Sequence, residues 1–349
     1  MKVMFLLSSS RYSGAENVVC QIISMFKNDP DTELIYCSPD GEIREALAER
    51  GVTFFPITDI TVPEVKRAIR ELCPDVIHAH DMRASYIAAR ACKKIPLISH
   101  IHNNAFDARK ISPKSVAYLY AGHKAKHIFW VSESSYQGYI FHKRFKKKSE
   151  ILYNIIDVDA LYRKMESDEK TYDYDVVYLG RLTYQKHPER VLDLMKTVLE
   201  KRPETKIALI GTGDLADFAR EYAKEIGIDT KVDFLGFVSN PLKILRSAKV
   251  MMMASRWEGT PMCALESLAL GVPIVSTPAD GLEEVVKDGK NGYLSEDDTV
   301  LVDRILELVT NEALHNEFST YAAEEARRFN DVAPYKQSIA DAYAKAIAK

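Results

Sequence analysis

The sequence predicts an α/β protein built as two Rossmann-like, doubly wound parallel-sheet domains facing a cleft. Three observations predict it. At 349 residues the chain exceeds one ordinary core. Short Val/Ile-rich runs alternate with amphipathic stretches of about ten to fifteen residues, the rhythm of a parallel sheet with helices on both faces. That rhythm breaks once, in a polar stretch near the middle, and then restarts.

In order, VMFLLS leads into helical GAENVVCQIISMF, ELIYCS into EIREALAER, and VTFFPI into PEVKRAIREL. The series continues through DVIHAH, RASYIAARACKK, PLISHIH, SPKSVAYLYAGHKA and HIFWVS. The opening MKVMFLLSSS has an apolar run of five residues and no small-residue cleavage site after it, so it reads as a first strand and not as a secretion signal. DVDALYRKMESDEKTYDYD (157–175) is polar with no sheet-like run and reads as the linker. After it come DVVYLG, ERVLDLMKTVLE, KIALIG, DLADFAREYAKEIG, VDFLGF, LKILRSA, VMMMAS and PIVST. This places one domain at 1–157 and a second at 158–332. The C-terminal segment 333–349 has helical spacing, but periodicity does not say what it packs on.

Composition narrows the class. The chain is 46% apolar and 28% charged, with no run long enough to span a membrane. Cys20, Cys37, Cys73, Cys92 and Cys263 are odd in number and scattered without a CxxC, which suits reduced thiols in a cytoplasmic protein. The net charge of −3 hides an asymmetry: residues 83–148 hold fourteen Lys/Arg against two acids, and the rest holds 33 against 48.

In open α/β sheets, ligands bind beyond the carboxyl ends of strands, so loops that directly follow strands carry the chemistry. After VMMMAS comes SRWEGTPMCALESLALG. Thr260 suits an N-cap, Pro261 the first helical position, and Gly271 the helix end. The amides of Met262, Cys263 and Ala264 would then form an anion site suited to phosphate. Glu266 lies one turn deeper on the same face, placed to accept both hydroxyls of a ribose. Glu258 projects from the loop toward whatever the phosphates carry. Capped helix and ordinary surface acids are the bland alternative.

Arg181 and Lys186, in RLTYQKH after DVVYLG, are two cations able to neutralise a diphosphate without a metal; a solvated basic loop is their plain alternative. GTGD (Gly211–Asp214) lacks the third glycine of a dinucleotide fingerprint and reads as a tight turn. LGFVSN ends a strand whose backbone suits a base edge. In the first half, Gly14 opens a helix where backbone can approach a phosphate or sugar. His78 and His80, and His100 and His102, each fall on one face of a strand, with no clustered Cys or Asp to complete a metal site.

These residues resemble the retaining glycosyltransferases of family 4, glycosyl transferases group 1, which have the GT-B fold. The resemblance spans the chain and rests on SGAENVV, GRLTYQK, LGFVSN and EGTPMCALE, with its glutamates separated by seven residues. It implies a first domain that binds acceptor, a second that binds a nucleotide-sugar donor, and a C-terminal helix (333–349) that crosses back to the first. By motif, Arg181 and Lys186 hold the donor diphosphate and Glu266 the ribose. Glu258 and His102 contact the donor sugar, and Gly14 lies against the diphosphate. Gly259, Thr260, Met262, Cys263 and Ala264 line sugar and phosphate, and Phe237 and Val238 offer backbone to the base. Glu258, His102, Arg181 and Lys186 are the catalytic candidates. Two departures stand out: Pro261 where many members have glycine, which removes an amide donor, and Asn154 in YNIID without the usual following glycine.

The function implied is metal-independent transfer of a hexosyl group, with retention, from a nucleoside-diphosphate sugar to a hydroxyl. UDP is the carrier expected on family grounds, no cofactor is needed, and the setting is cell-surface polysaccharide or glycolipid synthesis. A nucleotide-sugar 2-epimerase and a non-catalytic nucleotide-sugar-binding protein share the architecture. The acceptor expected is a sugar or lipid-linked sugar. The basic segment 83–148, with Phe106, Tyr118, Leu119, Tyr120, Tyr136, Tyr139, Ile140 and Phe141 interleaved and HKRFKKK at its end, suggests docking on the anionic inner leaflet. A solvated cationic face is the alternative, and no nucleic-acid motif accompanies the charge.

Overall fold

A computed structural model describes residues 1–103 and 106–348; the end of PLISHIHNN and the last residue of the C-terminal segment lie outside the described residues. The chain divides into two compact units, Met1–Asn154 with Val332–Lys349, and Ile155–Asp331.

The first unit holds strands β1 (Lys2–Leu6), β2 (Glu33–Pro39), β3 (Phe54–Ile57), β4 (Val76–His80), β5 (Leu97–Ile101), β6 (His127–Trp130) and β7 (Ser149–Ile151). They form one sheet in the order β3-β2-β1-β4-β5-β6-β7, parallel throughout. Central strands of such a sheet are covered on both faces, which is why β1 and β4 read as unbroken buried runs. The order doubles back between β1 and β4, so the loops after these two strands diverge. The C-terminal helix Val332–Ile347 belongs to this unit and packs on β4, β5 and the helix Gly14–Phe26. It is tied there by Tyr343 Oη to His78 Nδ1 (2.7 Å), Ser338 Oγ donating to Glu150 (2.7 Å), and Lys336 Nζ to Asp29 (2.9 Å).

The second unit repeats the plan with β8 (Val176–Leu179), β9 (Ile207–Ile210), β10 (Val232–Gly236), β11 (Val250–Met253), β12 (Ile274–Ser276) and β13 (Gly292–Leu294). Their order is β10-β9-β8-β11-β12-β13, again parallel, with the reversal between β8 and β11. The edge strands β7 and β13 have three residues each, too few for a period to announce them.

One expectation is corrected. The stretch 157–175 is not simply a linker: Val158–Glu166 is a helix of the second unit, capped by Asp157 Oδ1 accepting from Ala160 N (2.8 Å). It buries Leu161, and Tyr162 Oη donates to Ala269 O (3.3 Å). A helix with so narrow an apolar stripe looks polar in sequence. Among the described residues, no helix is long and apolar enough to cross a membrane.

Candidate active site

The loops after β8 and β11 leave the second sheet where its order reverses, and the residues between them form the site. The loop after β8 is seated by backbone. Gly180 N donates to Ile210 O (3.0 Å), Leu182 N to Thr212 O (2.9 Å), and Leu215 N to Leu182 O (2.9 Å). A Cβ on Gly211 would lie 1.9 Å from Gly180 O, and one on Gly213 2.4 Å from Leu182 O, both at positive φ. The GTGD turn therefore exists to let two backbones touch. Buried Tyr178 completes the seat, its hydroxyl donating to Arg181 O (3.1 Å). On this frame Arg181 stays exposed, whereas Lys186, on the turn Tyr184–Lys186, points inward and is 8% exposed.

Lys186 Nζ meets Glu258 Oε1 at 2.6 Å, with both side chains buried. Gln185 Nε2 donates to Trp257 O (2.9 Å) and reaches Glu258 Oε2 (3.4 Å). Arg256 N donates to Gln185 O (2.8 Å), and the Arg256 guanidinium lies over the Tyr184 ring, 4.0 Å from its centre. The two loops are thereby joined along their length. Burial alone would pull the Lys186 ammonium down, but the Glu258 charge and hydrogen bond outweigh it, so the lysine stays firmly protonated.

The helix after β11 runs Met262–Ala269, and here the expected cap is corrected. Pro261, not Thr260, is the N-cap, extended at φ −71° and ψ 124°. Its carbonyl accepts from Ala264 N (3.0 Å) and Leu265 N (3.3 Å). The Ala264 amide is thus spent within the helix, which leaves the amides of Met262 and Cys263 as the ones at the helix start that could meet an anion. A proline serves as N-cap because that position needs an acceptor and no donor. At the far end Gly271, at φ +68°, closes the helix with Val272 N donating to Ser267 O (2.8 Å).

Glu266 is pushed up to about 7 by burial, with Lys164 opposing. The Cys263 thiol is pushed up to about 11 by burial, with Lys186 opposing, and is inert at neutral pH. Behind Gly259 and buried Thr260, the chain at Gly281 touches backbone to backbone: a Cβ there would lie 1.3 Å from Gly259 O. The preceding Asp280 takes the strain at φ 49°, a position that favours glycine. Sequence reasoning missed Gln185, Arg256 and Gly281, which no local pattern ties to Glu258.

The remaining predicted residues divide between the units. Phe237 is exposed and Val238 half-buried, both just past β10, whose last residue Gly236 accepts from Gly211 N (2.8 Å). Gly14 and His102 belong to the first unit. Gly14 opens the helix Gly14–Phe26, and a Cβ on it would meet nothing within 4 Å. His102 follows β5 directly, with His78, His80 and His100 behind it on the same face, all buried.

Three of these histidines, His78, His80 and His100, bring nitrogens within 4.8 Å of one another, a grouping the sequence reading did not anticipate. The charged groups acting on the three are other histidines. With no facing carboxylate among the described residues, burial holds them neutral, well below the ordinary imidazole value.

The basic segment is largely structural at its centre. Tyr118, Trp130, Tyr139 and Phe145 are fully buried and pack ring on ring. Phe145 anchors HKRFKKK against Gly122, and Lys148 Nζ donates to Ala125 O (2.7 Å), closing the helix Pro113–Lys124. Most of the segment's cations stay exposed, among them Lys143, Arg144, Lys146 and Lys147 of HKRFKKK, as do the apolar side chains of Phe106, Ile111, Val116, Tyr120 and Ile140.

Two Rossmann-type units, one with cations and a helix start at its reversal point, define a two-domain α/β enzyme of the GT-B type. Comparison makes the class specific. Residues 12–160 match the model Glycosyltransferase Family 4, and residues 163–325 match Glycosyl transferases group 1. The chain belongs to this family and is a glycosyltransferase. It is 28% identical over 288 residues to a glycosyltransferase of Methanocaldococcus jannaschii, covering 71% of this chain and 72% of that one. It is 25% identical to the GalNAc-alpha-(1->4)-GalNAc-alpha-(1->3)-diNAcBac-PP-undecaprenol alpha-1,4-N-acetyl-D-galactosaminyltransferase of Campylobacter jejuni, covering 89% of each chain. Its fold matches Anabaena HepE in complex with UDP-glucose at a TM-score of 0.86, with 20% identity and 99% of each chain covered.

Two outcomes follow from the site. Lys186→Ala strands a buried carboxylate and should destabilise the protein by about 3–5 kcal/mol in urea unfolding, while adding Glu258→Gln should recover much of the loss. Additive costs would remove the coupling. For Glu266, the folded chain holds its proton up to about 7, above the ordinary carboxyl value, so ionising it opposes folding. Stability should fall as pH rises from about 4.5 through about 7, and Glu266→Gln should flatten that slope.

Proposed function

We propose that this glycosyltransferase moves a hexosyl group from a UDP-sugar to a hydroxyl of a lipid-linked glycan, with retention and without a metal. The observation that carries the reading is the buried Lys186–Glu258 pair, 2.6 Å long, at the point where the second sheet reverses. The UDP-glucose named with the Anabaena neighbour and the PP-undecaprenol acceptor named for the Campylobacter relative support the choice of donor and acceptor.

In this mechanism the bond from the anomeric carbon to the diphosphate oxygen breaks, and negative charge grows on the departing group. Arg181, Lys186 and the amides of Met262 and Cys263 stabilise that charge, and an ammonium with one donor on Glu258 keeps two for phosphate. Glu258, held in place by Lys186, orients the sugar hydroxyls, with Gly259 and Thr260 lining the same side. His102 contacts the donor sugar. The acceptor oxygen bonds to the anomeric carbon on the face the diphosphate leaves, and the acceptor proton passes to the leaving phosphate oxygen. Glu266 as carboxylate accepts from both ribose hydroxyls, Phe237 and Val238 meet the base, and Gly14 lies by the diphosphate.

The direct test offers UDP-, GDP- and ADP-sugars with a polyprenyl-diphosphate glycan acceptor in excess EDTA. Acceptor-dependent release of UDP with an axial or equatorial bond matching the donor anomer is the expected result. Turnover lost in EDTA and restored by Mg²⁺ or Mn²⁺ would overturn metal independence, and a 2-epimer formed without acceptor would make the protein an epimerase. Arg181→Ala should lower kcat more than it weakens donor binding, since the charge it meets grows toward the transition state.

Access to a lipid-linked acceptor is the role proposed for the exposed part of the basic segment, at an anionic membrane surface. Val116 and Tyr120 lie four apart on one helix, and Ile140 N donates to Ala108 O (3.0 Å), beside Phe106. Cations flank these apolar groups: Arg109 lies 5.4 Å from the Phe106 ring centre and Lys124 5.9 Å from that of Tyr120. Apolar groups to insert and cations to meet lipid phosphates suit one surface, each cation contributing about 1 kcal/mol. Sedimentation with vesicles should rise with anionic lipid, fall with salt, and drop when Lys143, Arg144, Lys146 and Lys147 are neutralised. Protein that stays in the supernatant throughout would point to a soluble acceptor.

A further inference from the structure

His102 stands at the end of β5 and is gripped by two consecutive residues at the end of β4. Its backbone N–H donates to Asp81 Oδ1 at 3.1 Å, and its ring Nε2 lies 2.7 Å from His80 Nδ1. Asp81 makes its contact from a backbone at φ 69°, a positive value that aspartate adopts more readily than most residues other than glycine. The rings of His80 and His102 are nearly parallel, 19° between planes, and His100 lies against both at 5.1 and 4.6 Å. His80 is 2% exposed, and its other nitrogen, Nε2, is buried with no hydrogen-bond partner among the described residues.

That orphan nitrogen decides where the protons are. Both rings are neutral, so each carries one N–H. If His102 Nε2–H donated to His80 Nδ1, the His80 proton would have to sit on Nε2, a buried N–H without an acceptor. A buried N–H without an acceptor is the rarer and less tolerated case than a buried acceptor left unused. We infer that His80 donates from Nδ1–H to His102 Nε2 and is a positioning residue that locks His102 in its Nδ1–H tautomer, making it a hydrogen-bond donor and not a base. His78 fits the same logic one step deeper, with Nδ1 on Tyr343 Oη and Nε2 unpartnered.

The consequence rests on the reading that His102 faces the donor sugar. A ring locked this way presents Nδ1–H to a sugar oxygen and takes no proton from the acceptor, which agrees with the leaving phosphate oxygen doing so.

The test is long-range ¹H–¹⁵N correlation of ¹⁵N-histidine-labelled full-length protein near neutral pH, which reads each ring's tautomer directly. Wild-type His102 should be the Nδ1–H form, with Nε2 unprotonated. His80→Leu should convert His102 toward the Nε2–H form preferred by a free imidazole. His80→Asn, whose amide N–H can donate from near the Nδ1 position, should keep the Nδ1–H form. An Nε2–H His102 in the wild type, or a tautomer indifferent to His80→Leu, overturns the lock; if the leucine variant does not fold, the wild-type spectrum alone decides. Adding UDP-glucose separates the two readings. A locked His102 whose signals do not move on saturation removes its donor contact and leaves the lock standing.

Discussion

Lys186 and Glu258 are 72 residues apart in the chain and 2.6 Å apart in the fold, and much of the second unit is arranged so that they can be. Neither charge tolerates burial alone. Bringing them together requires two loops from adjacent strands to run side by side, which Gln185 and Arg256 secure through backbone carbonyls. It also requires the loop after β8 to be held rigidly from behind. Gly211 and Gly213 accomplish this by allowing contact that any side chain would block. Gly281 does the same behind Gly259. The product is a fixed positive charge beside a helix start, the condition for stabilising an anion without reorganising at the moment of reaction.

The first unit solves a different problem with the same topology. Four histidines on β4 and β5, or directly after them, stack on one another, with His78 joined to Tyr343 of the C-terminal helix, and burial holds them uncharged. They are neutral, directional groups in an apolar setting, and for His78, His80 and His102 the proton positions follow from which nitrogens find partners, whereas neither His100 nitrogen finds one among the described residues. A charged pair organises one unit and an uncharged column organises the other. The buried ion pair supplies fixed charge in the second unit, and the histidines supply neutral hydrogen-bonding groups in the first.

Much of this was legible in the sequence. Strand and helix rhythm marks both parallel sheets because buried strands and amphipathic helices write their burial locally, residue by residue. Arg181, Lys186, Glu258 and Glu266 stand out because loops after strands are where such folds bind ligands, and turn chemistry such as Gly271 at a helix end is equally local. Tertiary structure decided what local rules do not contain. It made Pro261 the cap and spent the Ala264 amide. It turned part of an apparent linker into a helix, placed the C-terminal helix, and made Lys148 and Phe145 structural parts of a run that reads as uniformly basic. Above all it paired Lys186 with Glu258 and His80 with His102. Such pairings depend on which strands are neighbours and which buried atoms lack partners, quantities that exist only once distant segments share one interior.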